Sequence, residues 1–319
     1  MKHFFIALLA VTAVSCDPKS DVAGAIEKIP IDVTIVRFDK EFAAATRATL
    51  PQLKAKRPLF FPQQYADSVW VTKINDTLQQ QLNHEVATAF PDNQQIEDQL
   101  LPLFKHIKYY FPQFTTPTVY TTTSDVDHRN KAIVADSLLV LGLDTYLGSG
   151  HKFYTNMYTY ITKNLNPGQI APDVATAYAR QLIARPKNRT FLAQLTYFGK
   201  ELYLKDMWLP NTTDAEKIGY TKDEMKWAIA NEDQIWRYFV EEELLYSTQA
   251  DLSKRFIANA PFSKFKLAID NESPGMIGRY IGWQIVRAYM RKNPIALKEL
   301  MLKPPEEIFE KSNYKPAKR

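Results

Sequence analysis

Apolar residues recur with a helical period over most of the chain and alternate with polar residues only in short segments of its first half. The helical period predicts helices at 41–53, 68–90, 96–110, 173–184, 189–204, 221–246, 250–259, 271–291, 294–302 and 305–311. The alternating, β-branched pattern predicts strands at 30–39, 117–123, 131–134 and 137–143. Because the last three strands follow one another closely, they favour pairing as neighbours. The pattern therefore indicates an α+β fold, predominantly helical with a small antiparallel sheet.

The longest predicted helix has a clear start. Thr221 can accept a hydrogen bond from a first-turn N–H, and Glu224 three residues later can complete a capping box. We expect this helix to break near Asn231.

The most informative segment is a later, glycine-containing helix. Ser273 predicts its N-cap and Pro274 its first helical position. Gly278 and Gly282 lie four residues apart and form a flat strip that another backbone can approach. Because an interior glycine costs roughly 1 kcal/mol relative to alanine, we expect this strip to face a packed neighbour, the helix at 232–246.

The N-terminus has the pattern of a secretion signal. A short basic start precedes an apolar run at 4–14, which is shorter than the roughly 20 residues that cross a bilayer. Cys16 is the only cysteine of the chain, and the preceding Ala-Val-Ser resembles a bacterial lipoprotein box. We expect a signal peptide at 1–15, a tether at 16–29 and one globular domain at 30–319, with lipid on Cys16. The alternative is a buried or incidental cysteine.

Hydrophobic residues make up 45% of the 319 residues, which is enough for a large core.

The charge and the motifs of the sequence argue against two classes of ligand, nucleic acids and nucleotides. The net charge of +5 is small and spread along the chain, so we expect no nucleic-acid partner. The sequence contains neither G-x-x-x-x-G-K-[ST] nor G-x-G-x-x-G, so we expect no nucleotide.

The histidines and serines supply no recognisable catalytic motif. His84 and Glu85 begin the zinc-protease sequence H-E-x-x-H, but its fifth position is Thr88, so the second imidazole is lacking. We therefore expect no metal and no other cofactor. Ser149 lies close to His151 in sequence, but such neighbours rarely supply the geometry of a catalytic triad. No catalytic residue is assigned.

Charged residues cluster on the two helices described above. Carboxylates can act as acid and base only in a pocket that shifts their pKa values. More often they lie on a solvated face or pair with arginines, and both interpretations stay open. The candidate cleft or ion-pair residues are His151, Glu232, Arg237, Glu241, Glu272 and Arg279.

Several long stretches carry a family resemblance. They read FKHIKYYFP at 104–112, LDTYLGSGHKFY at 143–154, NEDQIWRYFVEEELLYST at 231–248, APFSKF at 260–265 and DNESPGMIGRYIGWQIVRAY at 270–289. On these stretches the chain resembles the gliding motility lipoproteins of the GldB family of Bacteroidetes. The resemblance covers essentially all of the mature chain.

The GldB family is similar in turn to predicted zinc-dependent peptidases, which implies a zincin-like scaffold. In those proteins an H-E-x-x-H helix precedes a helix with an E-G pair. The corresponding helix at 173–184 has neither histidine nor glutamate, and in the helix at 189–204 the pair reads Phe198-Gly199. The resemblance therefore implies a pseudo-enzyme without a metal-generated hydroxide nucleophile.

The resemblance also implies a role and a location. We expect a non-catalytic lipoprotein of the gliding motility machinery, linked to type IX secretion, that binds other motility or secretion proteins of the envelope. It would contact the inner or outer membrane through lipidated Cys16 and face the periplasm. The alternatives are an envelope hydrolase or metallopeptidase with an unrecognised site, and a purely structural lipoprotein.

Overall fold

Helices make up most of the part of the chain that the structure, a computed structural model, describes, namely residues 18–268 and 270–316. The α-helices of these ranges are α1 (Pro18–Glu27), α2 (Phe38–Ala43), α3 (Leu50–Lys56), α4 (Asp67–Asn75), α5 (Thr77–Ala89), α6 (Gln94–Tyr110), α7 (Thr159–Thr162), α8 (Ile170–Leu182), α9 (Phe191–Trp208), α10 (Asp214–Ile218), α11 (Lys222–Ala230), α12 (Glu232–Glu241), α13 (Ile277–Lys292), α14 (Leu297–Leu302) and α15 (Pro305–Ser312). A π-helical turn at Ser253–Ile257 and several 3₁₀ turns connect them. The mainly helical α+β fold is confirmed.

The sheet has four strands and is mixed, so the antiparallel prediction is wrong in part. Its strands are β1 (Ile35–Val36), β2 (Thr118–Thr122), β3 (Ala132–Ala135) and β4 (Leu138–Gly142), in the order β1-β2-β4-β3. Strands β3 and β4 form the predicted antiparallel hairpin, whereas β1 with β2 and β2 with β4 pair in parallel. The reason is burial. Leu139 and Leu141 of β4 are fully buried, which suits an inner position, while β3 exposes Ile133 at the edge.

The first strand is shorter than predicted because a helix begins inside the predicted segment. Phe38 and Phe42 of α2 are buried in a small separate core with Leu50 and Phe61. The chain therefore leaves the sheet after Val36.

Capping residues set several helix boundaries. Thr221 and Glu224 form the predicted capping box of α11, and the chain breaks at Asn231 between α11 and α12 as predicted. The predicted helix at 68–90 is two helices, because Asp76 caps α5 by accepting a hydrogen bond from the N–H of Gln79 at 2.8 Å.

The segment predicted as a tether contains helix α1. Ile26 of α1 is buried, and the ammonium group of Lys105 on α6 donates to the carbonyl of Glu27 at 2.7 Å. Helix α1 is therefore attached to the domain. The predicted signal peptide and Cys16 lie outside the described residues.

Helix α9 crosses α13 at the centre of the main core, and the two backbones come almost into contact. A Cβ added to Gly282 would lie 1.8 Å from the carbonyl oxygen of Leu195, and one on Gly199 would lie 2.2 Å from the carbonyl oxygen of Gly282. The glycine strip of α13 therefore faces α9. The prediction that it packs against the helix at 232–246 is wrong.

Helix α13 also begins later than predicted. Met276, in a left-handed conformation with φ of 59°, is its N-cap, so Ser273 and Pro274 precede the helix. The hydroxyl of Ser273 instead bonds to the loop, donating toward the carbonyls of Asp270 and Ser263 at 2.7 and 3.0 Å. Because backbone carbonyls of the preceding loop engage the Ser273 hydroxyl, Ser273 does not act as the N-cap.

Candidate functional site

A cavity of about 800 Å³ opens between α8 and α9. The sheet edge at Lys131 and Ala132, the segment around Tyr158, the end of α10 and the start of α13 complete its lining. Its volume lies within the range of small-molecule and peptide-residue pockets. The cavity is therefore large enough for a ligand of several groups.

Both helices of the cavity contribute charged side chains to its lining. Helix α8 contributes Asp173, Ala177 and Arg180, and α9 contributes Glu201 and Lys205. These positions offer one carboxylate and one cation from each helix.

Positive charge dominates the lining. The cationic side chains are Arg129, Lys131, Arg180, Lys205, Lys217 and Arg279, while the carboxylates are Asp173 and Glu201. The cavity therefore favours an anionic ligand.

Both carboxylates of the cavity already pair with its cations. Asp173 lies 2.5 Å from the ammonium group of Lys131 and accepts a hydrogen bond from the hydroxyl of Tyr146 at 3.1 Å. Glu201, itself 3% exposed, accepts from Nε of Arg180 at 3.0 Å. These ion pairs hold the side chains of Asp173 and Glu201 in place in the cavity lining.

Two cations of the cavity have only neutral hydrogen-bond acceptors close by. Arg279 donates through Nε to the carbonyl of Ile257 at 2.8 Å, and its guanidinium lies 4.2 Å from the ring centroid of Phe198. The ammonium group of Lys205 donates to the carbonyl of Lys217 at 2.7 Å. Within the described residues neither cation has a carboxylate at ion-pair distance.

Burial perturbs both of these cations. Desolvation lowers the pKa of Lys205 to about 8 and also lowers the pKa of Arg279, and the nearby charge of Glu201 acts in the opposite direction on each. A cation that has lost its hydration without gaining a carboxylate is a strong site for an anion.

Of the six residues predicted as cleft or ion-pair candidates, Arg279 lines this cavity. His151 lies elsewhere, with Nε2 at 3.2 Å from a carboxylate oxygen of Glu85. The other oxygen of Glu85 lies 2.6 Å from the ammonium group of Lys152. Hydrogen bonds from Lys152 and then His151 lower the pKa of Glu85.

The remaining candidates are structural or exposed. Glu232 accepts hydrogen bonds from the hydroxyls of Tyr280 and Tyr314 at 2.6 and 2.8 Å, and so joins α12 to α13 and the C-terminal segment. Arg237 is 56% exposed and lies 3.5 Å from Asp233. Both Glu241 and Glu272 are exposed. The structure therefore does not bring the six candidates together.

Sequence reasoning missed most of the charged lining of the cavity. These residues share no motif, because they come from three helices and from the position before β3: Lys131, Arg180, Glu201, Lys205 and Lys217. One signal was available, because α9 is otherwise rich in apolar residues and the charged Glu201 and Lys205 fall on its buried positions.

Two further properties concern the described residues alone. They include no group of three or more His, Cys, Asp or Glu side chains placed to hold a metal ion. None of their helices is long and apolar enough to cross a membrane.

The comparisons with known proteins place the chain in a family. No curated protein and no solved structure matches it. The family model described as gliding motility protein GldB matches residues 19–316. The match covers nearly all of the described residues, including both helices of the cavity, and the chain therefore belongs to the GldB family of gliding motility proteins.

Proposed function

We propose that this gliding motility protein is a non-catalytic binding component of the envelope machinery. Its cavity between α8 and α9 would bind a segment of another motility or secretion protein. The observation that carries the proposal is the lining itself, where cations outnumber carboxylates and both carboxylates are paired.

The charged residues of the cavity support binding over catalysis. General acid–base chemistry needs a carboxylate or imidazole that is free to exchange a proton with the substrate. Asp173 and Glu201 are each held by a cation, which leaves His128 as the one imidazole in the lining. Lys205 and Arg279 form no ion pair with a carboxylate of the described residues, and both are suited to holding an anion.

The proposed location follows from the family and the N-terminal sequence. The family is named as one of lipoproteins, which supports attachment to a membrane through a lipid anchor. We propose Cys16 as the attachment point, with the domain facing the periplasm from the inner or outer membrane. A link to type IX secretion is part of the same proposal.

Site-specific crosslinking tests the binding role. Tyr158 at the cavity rim is 73% exposed, so a photoreactive amino acid there should crosslink the full-length lipoprotein to an envelope protein in living cells. Leu78 on α5, 60% exposed and outside the cavity lining, is the matched control position and should give no adduct. Equal adducts from both positions, or none from Tyr158, would contradict the proposal.

One observation favours an enzymatic alternative. A lysine whose pKa is lowered to about 8 can act as a general base, and Lys205 has this property inside the cavity. The envelope hydrolase or metallopeptidase hypothesis then predicts turnover by the purified protein. Peptidase activity that disappears in Lys205→Met, or stoichiometric zinc with activity lost on chelation, would favour this alternative over the binding role.

A further inference from the structure

We propose that the cavity takes a carboxylate-bearing peptide segment, with Arg279 and Lys205 binding the carboxylate. This inference rests on the proposed binding role and adds the chemistry of the bound segment. It follows from three features of the cavity: the state of the two cations, the engagement of the resident carboxylates, and the composition of the rim.

The guanidinium of Arg279 is held in a fixed orientation. The face of Phe198 lies 4.2 Å from it and the carbonyl of Ile257 accepts from Nε, so its position is set by α9 and the π-helical turn. Its terminal nitrogens donate to no acceptor in the described part of the chain. A pre-oriented guanidinium with free terminal donors is the geometry that carboxylates prefer.

Lys205 supplies a second, more deeply buried charge. It is 6% exposed, and one of its three donors is engaged by the carbonyl of Lys217. The other donors have no protein acceptor among the described residues. A charge held in this state is costly unless a counter-ion approaches, so an incoming carboxylate would gain from both Lys205 and Arg279.

The two carboxylates of the cavity do not act as counter-ions of Lys205 or Arg279. Asp173 is bound by Lys131 and Glu201 by Arg180. Glu201 stays close enough to influence the pKa of Lys205 and of Arg279, yet forms an ion pair with neither. Positive charge therefore remains for a ligand.

The rim favours a peptide over a small inorganic anion. Tyr158 and Tyr160 stack there with ring centroids 5.7 Å apart, and Met157 and Ile161 extend the apolar surface. An aromatic and apolar rim above a cationic floor suits a chain with one acidic group and apolar neighbours. The volume of about 800 Å³ exceeds what a phosphate would fill. The two cations, Lys205 and Arg279, lie on different helices, α9 and α13.

Peptide binding to the full-length lipoprotein in detergent tests the inference. The probes are a doubly capped hexapeptide of alternating Glu and Tyr, its Gln-for-Glu counterpart, and inorganic phosphate. We expect the acidic peptide to bind roughly tenfold or more tightly than its neutral counterpart, as for one charged hydrogen-bonded pair. Arg279→Gln should remove most of this difference.

The control is Arg237→Gln, which neutralises an exposed arginine outside the cavity lining and should leave both affinities unchanged. If Arg279→Gln does not fold, Arg129→Gln at an exposed position of the lining replaces it and should weaken only the acidic peptide. Equal affinity for both peptides, including no binding of either at millimolar concentration, would overturn the inference. Displacement of the acidic peptide by equimolar phosphate would also overturn it, in favour of a small-anion site.

The crosslinking and peptide-binding results distinguish the binding role from the carboxylate specificity. A specific crosslink from Tyr158 combined with equal peptide affinities would preserve the binding role and reject the carboxylate. The absence of any crosslink would reject the binding role itself.

Discussion

Single glycines determine how closely the two central helices approach. Any side chain at Gly282 would meet the backbone of α9, because its Cβ would lie 1.8 Å from the carbonyl oxygen of Leu195. Backbone cannot move aside as a flexible side chain can, so the helices would have to separate. The cost of interior glycine in α13 is therefore offset by close packing against α9.

Gly282→Ala should consequently destabilise the fold although alanine has the higher helix propensity. We expect the free energy of unfolding in urea to fall by about 1–3 kcal/mol, the usual range for overpacking a core. Gly24→Ala in α1 is the control, because nothing lies within 4 Å of its added Cβ. The control should be neutral or slightly stabilising, by roughly 0.5–1 kcal/mol, and an unchanged stability of Gly282→Ala would contradict the packing account.

Lysine side chains on long helices donate hydrogen bonds to the C-terminal ends of short helices. In the described part of the chain, four lysine ammonium groups donate to carbonyls at helix C-termini, where the helix dipole favours a cation. The pairs are Lys105 with Glu27 of α1, Lys200 with Met301 of α14, Lys205 with Lys217 of α10, and Lys292 with Ser312 of α15. This arrangement gives the buried lysines of α9, Lys200 and Lys205, backbone acceptors.

Lys200 should make the stability of the fold depend on pH. Burial lowers its pKa to about 8, so between about pH 8 and its ordinary value of 10.5 the unfolded chain binds more protons than the folded one. Stability from this group therefore rises with pH across that window. Urea unfolding at about pH 8 and 10 should show a larger gain for the wild type than for Lys200→Met, and an equal gain would contradict the shift.

The helices were largely predictable from sequence, whereas the sheet and the cavity were not. Periodicity and capping identify α6, α9 and the break between α11 and α12, because those signals are local. Parallel pairing of β2 with β4 depends on burial of residues that are distant in sequence. The cavity depends on cations from separate elements that meet only after packing, so no spacing in the sequence reveals them.

The proposed anchor lies close in sequence to helix α1. This helix begins at Pro18, so only Asp17 lies between it and Cys16, and its C-terminal end is attached to α6. Two residues of extended chain reach at most about 7 Å. We infer that lipidation of Cys16 would hold the start of α1 at the membrane surface, with the rest of the domain attached to this helix at Ile26 and Glu27.

Removal of the thiol tests this anchor. Cys16→Ala should abolish labelling of the protein by palmitate in growing cells and release it from the membrane fraction. Cys16→Ser is a second variant that also lacks the sulfur and should behave in the same way. Normal labelling of either variant would show that lipid is attached elsewhere.

We propose that the cationic cavity is the site through which this motility protein acts. The most direct measurement is the gliding speed of cells that carry Arg279→Gln in place of the natural gene, with Arg237→Gln as the matched control. If both variants reach wild-type levels in the membrane fraction, we predict that Arg279→Gln cells lose most of their gliding and Arg237→Gln cells keep it. Wild-type gliding by Arg279→Gln cells would contradict the account.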